Sequence, residues 1–114
     1  MLPSVETQTV KFVKDARSHV DLVQSKNLKF GGFSVYIKYK RDERSGKESL
    51  IISRVEVPLR YRGRGWFWIY LDLCNGLVPQ GVEIESVVNK RLKKSLINKP
   101  NFVELINDCF LMVG

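Results

Sequence analysis

Three arginines and two glycines are threaded through Arg60-Tyr61-Arg62-Gly63-Arg64-Gly65, directly before an apolar run that opens at Trp66. Upstream, Val55-Glu56-Val57 reads as the end of a strand, and Pro58 closes it. A strand that runs through such a loop into a helix can hold an anion. The first turn of a helix carries N–H groups without intrahelical partners, at the positive end of its dipole. Glycines let a phosphate approach the backbone, and arginines add charge-assisted hydrogen bonds. The chemistry indicated is the binding of a phosphate-bearing ligand; the alternative is a tight strand-to-helix turn with solvated arginines.

Other reactive side chains are few. Cys74 and Cys109 lie far apart without further ligands beside them, and His19 is the single histidine. This argues against a metal site and against a Cys-His nucleophilic pair, so both cysteines read as small buried hydrophobes. Lys90-Arg91-Leu92-Lys93-Lys94 is a basic helix turn. It draws in an anionic ligand or an acidic partner, binds nucleic acid phosphates, or is simply a solvated face. Trp66 and Trp68, flanked by Phe67 and Tyr70, cannot readily share one helix face. One ring is therefore expected at a partner interface, a homodimer through this helix being one reading.

The elements that would position these residues follow from periodicity. Val10, Val13, Ala16, Val20 and Val23 recur at spacings of three and four, which predicts an amphipathic helix over Ser4 to Gln24 with His19 inside it. Gly31-Gly32 breaks the pattern. Phe33, Val35, Ile37 and Tyr39 then alternate with polar residues as a half-buried strand requires. Arg41 to Lys47 reads as a hairpin connection and Ser49 to Val57 as the second strand. Trp66 to Leu77 is the next helix, ended by Gly76 and Pro79. Val82 to Val88 predicts a third strand, Asn89 to Ile97 a short basic helix, and Leu105 to Val113 a final strand or pair. The order is that of a mixed α/β domain with the arginine loop at a strand's carboxyl end, where open sheets commonly bind ligands.

At 114 residues, 44% hydrophobic and 27% charged, the chain is expected to form one globular domain over residues 1–114. A net charge of +7 and a pI near 9.6 favour a polyanionic partner: nucleic acid, a nucleotide cofactor or an acidic protein. No apolar stretch approaches membrane-spanning length and the first residues lack a signal-peptide pattern, so the cytoplasm is the expected location.

From Val55 onward the chain resembles the GCN5-related N-acetyltransferase superfamily. That family's central motif is a strand ending in Val-x-Val, a short turn, then Gln/Arg-x-x-Gly-x-Gly/Ala opening a helix. Two registers compete. Arg60-Tyr61-Arg62-Gly63-Arg64-Gly65 satisfies the literal pattern but leaves only two residues after Val57. Arg62-Gly63-Arg64-Gly65-Trp66-Phe67 restores the strand-to-loop spacing and is preferred, with Phe67 where the family has Gly or Ala. Val82 to Val87 followed by Asn89 resembles the next strand and its coenzyme A-contacting asparagine. The tyrosine that family members carry about seven residues later is replaced by Leu96, between Ser95 and Ile97. The resemblance spans roughly residues 33 to 113, and the part before it is shorter than is usual.

The resemblance implies a fold and a chemistry. The fold is a mixed, mainly antiparallel sheet flanked by helices, with a truncated N-terminal part. Acetyl-CoA would pair with main-chain groups of Val55 and Val57. Its pyrophosphate would rest on the N–H groups from Gly63 through Arg64, Gly65 and Trp66 to Phe67, with Arg60, Arg62 and Arg64 in reach of the 3′-phosphate and Asn89 as a further contact. Transfer to an amine needs a base, because a protonated amine cannot attack a thioester. Glu85 is the first choice, Glu56 the second; Ser95 is a weak substitute for the missing acid. The acceptor would be an amine of a protein or small molecule. Two other functions fit the same residues. One is a catalytically inactive binding module that engages an acidic protein or nucleic acid through its basic loop and aromatic helix. The other is a nucleic-acid-binding domain in which the loop arginines contact phosphates and Tyr61 or Trp66 stacks on bases.

Overall fold

The computed structural model describes residues 4–85, 90–106 and 109–113, with side chains left out at 90–93 and 106. Ser4 accepts a hydrogen bond from the Thr7 N–H (3.2 Å) and so caps helix α1, Val5–Arg17. Val5, Thr9, Phe12, Val13 and Ala16 form its buried face. The helix stops at Arg17, seven residues short of the end expected from the apolar spacing. Val20 and Val23, which continue that spacing, are 89% and 53% exposed, and His19 lies beyond the helix. Residues 18–22 form turns and bends, and strand β1, Val23–Phe30, follows, which the periodicity did not reveal.

β1 turns tightly at Gly31-Gly32 into β2, Phe33–Arg41, and a second hairpin leads to β3, Glu48–Glu56. Leu59–Tyr61 form one 3₁₀ turn, followed by α2, Trp66–Leu77, as expected. β4 spans Val82–Ile84, shorter than expected; residues 86–88 lie outside those described. α3 covers Lys90–Asn98. The final segment is a pair of strands, β5 (Phe102–Ile106) and β6 (Cys109–Met112).

The six strands make one sheet in the order β1-β2-β3-β4-β6-β5, antiparallel except where β3 runs parallel to β4. This is the mixed, mainly antiparallel sheet flanked by helices. Leu28, Val35, Ile37, Tyr39, Leu50, Ile52, Val82, Ile84, Phe102, Phe110 and Met112 project from one face into a single core with the helices. All three helices lie on that face: α1 packs on β1 and β2 and against α2, α2 on β4, α3 on β5. Trp68 of α2 meets Phe102 edge-on, and Lys99, just past α3, lies 4.4 Å over the Trp68 ring. No described helix covers the opposite face, and the molecule is a slab of about 38 × 38 × 20 Å.

Two polar connections hold the slab together. Arg17 at the end of α1 grips Glu48 of β3 with Nε and Nη2 and also donates to the Leu77 carbonyl that ends α2. Tyr39 of β2 donates to the same carboxylate. Between α1 and α2, Tyr70 Oη lies 2.8 Å from Thr9 Oγ1, which itself donates to the Val5 carbonyl (2.8 Å). Gly81 sits where a Cβ would come within 2.3 Å of the Glu48 carbonyl oxygen, so β4 enters the sheet only through glycine.

Candidate functional site

Strict alternation along β3, with Leu50 and Ile52 facing the helices, would drive Arg54 into the core. A β-bulge prevents this. Tyr36 pairs with Ser53 but Ser34 with Glu56, so one residue more is used on β3 than on β2. Arg54 takes φ +48°, rare for a residue with a side chain, and its guanidinium lies 5.0 Å over the Tyr36 ring. Val55 is returned to the helix side and packs against the core; Glu56 is exposed. Arg54 was missed by the sequence reasoning, although an arginine at a core register position is the signal that marks such a bulge.

β3 and β4 pair over only Leu50–Ile52 and Val82–Ile84, with a last bond from the Glu85 N–H to the Ile52 carbonyl (3.0 Å). β3 runs on to Glu56 without β4 beside it. The edge of β3 around Val55 is therefore left without a described strand partner on that side. Val57 follows the strand, and its carbonyl accepts from Arg62 Nε at 2.8 Å. Of Val57's main-chain groups, the N–H is the one left for a ligand. Glu85 is exposed at the end of β4, and Glu56 is exposed at the end of β3.

The loop beyond is shaped by its own arginines. Arg62 is tied back to Val57. Arg60 Nη2 reaches the Gly31 carbonyl (3.4 Å) while its guanidinium lies 5.2 Å over Tyr61. Tyr61 and Trp66 both pack on Phe33, so loop, hairpin and helix meet around that ring. Only Arg64 has no partner among the described residues. Gly63 and Gly65 have φ +76° and +80°, and a Cβ on either would meet nothing within 4 Å. They serve the backbone turn, not packing, and leave open space above it. Gly65 is the N-cap of α2, and no side chain caps that helix. Its first accepted bond comes from the Ile69 N–H (3.2 Å), which leaves the N–H groups of Trp66, Phe67 and Trp68 without helical partners.

The aromatic residues are placed inward. Phe67 is half-buried against the core and meets Trp68 edge-on, so its ring does not stand over the loop. Trp66 stacks on Tyr70 with ring centres 5.0 Å apart. Both tryptophans are half-buried; the apolar residue that α2 turns outward is Ile69, 67% exposed. Burial pushes the Tyr70 hydroxyl far above its ordinary range and raises Cys74 to about 12, so that thiol is an inert core group.

Around the expected base and acid, the outcome is mixed. Asn89 lies outside the described residues. Leu96 is fully buried, and Ser95 is half-buried beside it. Lys94 is exposed. Two surface clefts complete the picture. One, of about 490 Å³, lies over the sheet face away from the helices and includes Asn27, Lys29, Ser34, Arg54 and Glu56. The other, of about 390 Å³, runs between α1 and β1. Neither was visible from the sequence, which assigned no element to residues 25–30. Among the described residues there is no cluster of three or more potential metal-ligating side chains, and no helix is long and apolar enough to cross a membrane.

No protein-family model matches the sequence, and no curated protein matches it. The fold is similar to that of a solved structure described as the crystal structure of the KacTA–DNA complex. The match has a TM-score of 0.53 and 14% identity, covering 92% of this chain and 78% of that one.

Proposed function

We propose that the chain is a small N-acetyltransferase of the GCN5-related kind, moving an acetyl group directly from acetyl-CoA to an amine of a protein or small molecule. The observation that carries this reading is a continuous track. A stretch of β3 with no described strand partner on its β4 side leads through a twice-left-handed glycine loop to the uncapped start of α2. A long ligand with a phosphate group at one end and a carbonyl at the other suits such a track. The residues fit it on two further counts: the space above Gly63 and Gly65 is open, and Phe67 is turned to the core.

Bound acetyl-CoA supplies the activated acetyl group. The N–H groups between Gly63 and Phe67 hold its pyrophosphate, with Arg64 as the arginine left over for phosphate. The N–H groups of Val55 and Val57 orient the arm along β3. Glu85 stands where β3 and β4 part and takes the proton from the acceptor amine; Glu56, across β3 on the cleft side, is the alternative base. Nitrogen–carbon bond formation then accompanies carbon–sulfur cleavage without a covalent enzyme intermediate, and the coenzyme A thiolate leaves to take its proton from water.

One observation favours a second reading. The position that resembles the family's acid tyrosine is Leu96, sealed in the core, so nothing there protonates the leaving thiolate. A binding module that keeps the fold and the anion-holding loop without turnover answers to this. The net charge of +7 and the neighbour's presence in a complex with DNA support a nucleic acid or an acidic protein as its partner.

Thermal unfolding with millimolar acetyl-CoA, with ATP as the control, tests both. Acetyl-CoA alone should raise the melting temperature, and Gly65→Ala, which strains the left-handed turn, should abolish the gain. Acetyl transfer to a panel of amines then separates enzyme from binding module. Equal shifts with ATP, or none with either, would remove the coenzyme A site.

A further inference from the structure

β1 is an edge strand, and its outer edge is open. The Arg41 N–H donates to the Leu22 carbonyl, so bonding to β2 alternates from residue 22, and main-chain groups of Val23, Ser25, Asn27 and Lys29 point away from the sheet. Lys29 shows that these groups seek partners: its carbonyl takes a hydrogen bond from Gln8 Nε2 of α1 at 3.0 Å. Ser25 and Asn27 have no such bond among the described contacts.

This edge differs from the sheet's other edge. β5 is five residues long and its pairing with β6 is irregular between Glu104 and Ile106. β1 has eight residues in unbroken register. It also has a wall: α1, packed on β1, borders a cleft of about 390 Å³ lined by Phe12 and Ala16 together with Lys11, Gln24, Ser25 and Lys26. A strand beside a helix-walled groove is a geometry that extended peptides enter by adding a strand.

Charge selects the occupant. β1 contains Lys26 and Lys29 and no acidic residue, and no described carboxylate lies within ion-pair distance of either lysine. Asp15, the acid in the cleft, is held by Lys11 at 3.1 Å. A second copy pairing through the outward groups of Ser25 and Asn27 would set Lys26 against its own equivalent, which is unfavourable. We propose that β1 is a docking edge for an extended acidic segment of a partner polypeptide, which adds to the sheet as a seventh strand beside α1. One carboxylate beside Lys26 on the helix side and one beside Lys29 on the opposite face, three residues apart in the added strand, would fix its register.

The test uses the full chain, ¹⁵N-labelled, and three blocked eight-residue peptides. One is threonine with glutamate at its third and sixth positions, which puts one carboxylate on each face of the added strand; one replaces glutamate by lysine; one carries the acidic sequence with N-methyl groups at alternate backbone nitrogens. The acidic peptide should slow amide exchange at Ser25 and Asn27 at least tenfold, while the lysine and N-methylated peptides leave it unchanged. The Lys26→Glu/Lys29→Glu variant changes two exposed side chains and should exchange the preference, now accepting the lysine peptide. Failure of the acidic peptide to protect Ser25 and Asn27 would overturn the proposal, as would equal protection by the N-methylated peptide or an unchanged preference in the variant. A ¹⁵N spectrum of the variant establishes that it is folded before the comparison is made.

Discussion

At the scale of single residues, Glu48 carries more of the architecture than any residue in the arginine loop. Its carboxylate accepts from Arg17 of α1 and from Tyr39 of β2, and Arg17 passes the connection on to the end of α2. The Arg17 hydrogen bonds hold the Glu48 carboxyl below its ordinary range, and Tyr39, desolvated beside that carboxylate, is raised. The folded Glu48 value thus lies below the unfolded one of about 4.3. Its stabilisation is complete above that value and is lost as pH falls through the folded value. Arg17 is 41% exposed at its side chain, which screens part of the interaction. Glu48→Gln is expected to cost about 1–2 kcal/mol at pH 7. Urea unfolding at pH 7 and pH 3 checks it: the gap between wild type and variant should shrink at the lower pH, and an equal gap at both would remove the carboxylate from the account. Arg54 was hidden from sequence reasoning for a related reason. An arginine at a core position of the alternation is a signal of a bulge, but it becomes decisive only with the pairing of β2 against β3, which alternation along β3 does not supply.

Elements tell where periodicity suffices and where it misleads. Phe33 to Lys40 alternates because one side faces the core, and Trp66–Leu77 is an apolar run bounded by Gly65 before it and Pro79 after it, so β2 and α2 were both legible. β1 was not. It is an edge strand with one fully buried residue, Leu28, and hence carries almost no alternation. The valines at 20 and 23 meanwhile extended a helical spacing that the chain does not follow. Of the site, the glycine- and arginine-rich loop between β3 and α2 was readable from Arg60 to Phe67. The clefts at β1 were not, because they require a strand of which residues 25–30 were assigned to no element and the first two residues to a helix. α1 is joined to α2 by a buried pair that no local pattern announces. Tyr70 Oη and Thr9 Oγ1 are 2.8 Å apart, and since Thr9 donates to Val5, the tyrosine must donate to Thr9. Thr9→Val leaves that buried hydroxyl only the weak sulfur acceptor of Cys74, at about 1–2 kcal/mol. Tyr70→Phe in the same background should return about 1 kcal/mol or more. Chemical denaturation of the two single variants and the double completes the cycle, and strictly additive costs would show that the helices are not coupled through this bond.

The whole molecule is a two-layer slab: helices on one face of the sheet, solvent on the other. Such an arrangement makes adjacent residues of a central strand unequal, and β3 offers the comparison directly. Ile52 points into the helix layer and is fully buried; Ile51 points the other way and is 6% exposed. Their burial is nearly equal, but their surroundings are not. Ile52 belongs to a core closed by α1 and α2, whose packed side chains cannot follow a shortened neighbour. Ile51 is paired across β2 with Lys38 and across β4 with Glu83, long side chains at a surface that no described helix covers. They can fold over a truncated residue and fill much of the space. Ile52→Ala is therefore expected to cost about 3–4 kcal/mol and Ile51→Ala about 1–2 kcal/mol. Urea unfolding of both variants at pH 7, with the denaturant slope unchanged, measures the difference. Equal costs would mean that the second face of the sheet is as tightly covered as the first. In that event the slab, and with it the open cleft beside Arg54 and Glu56, would not describe the molecule in solution.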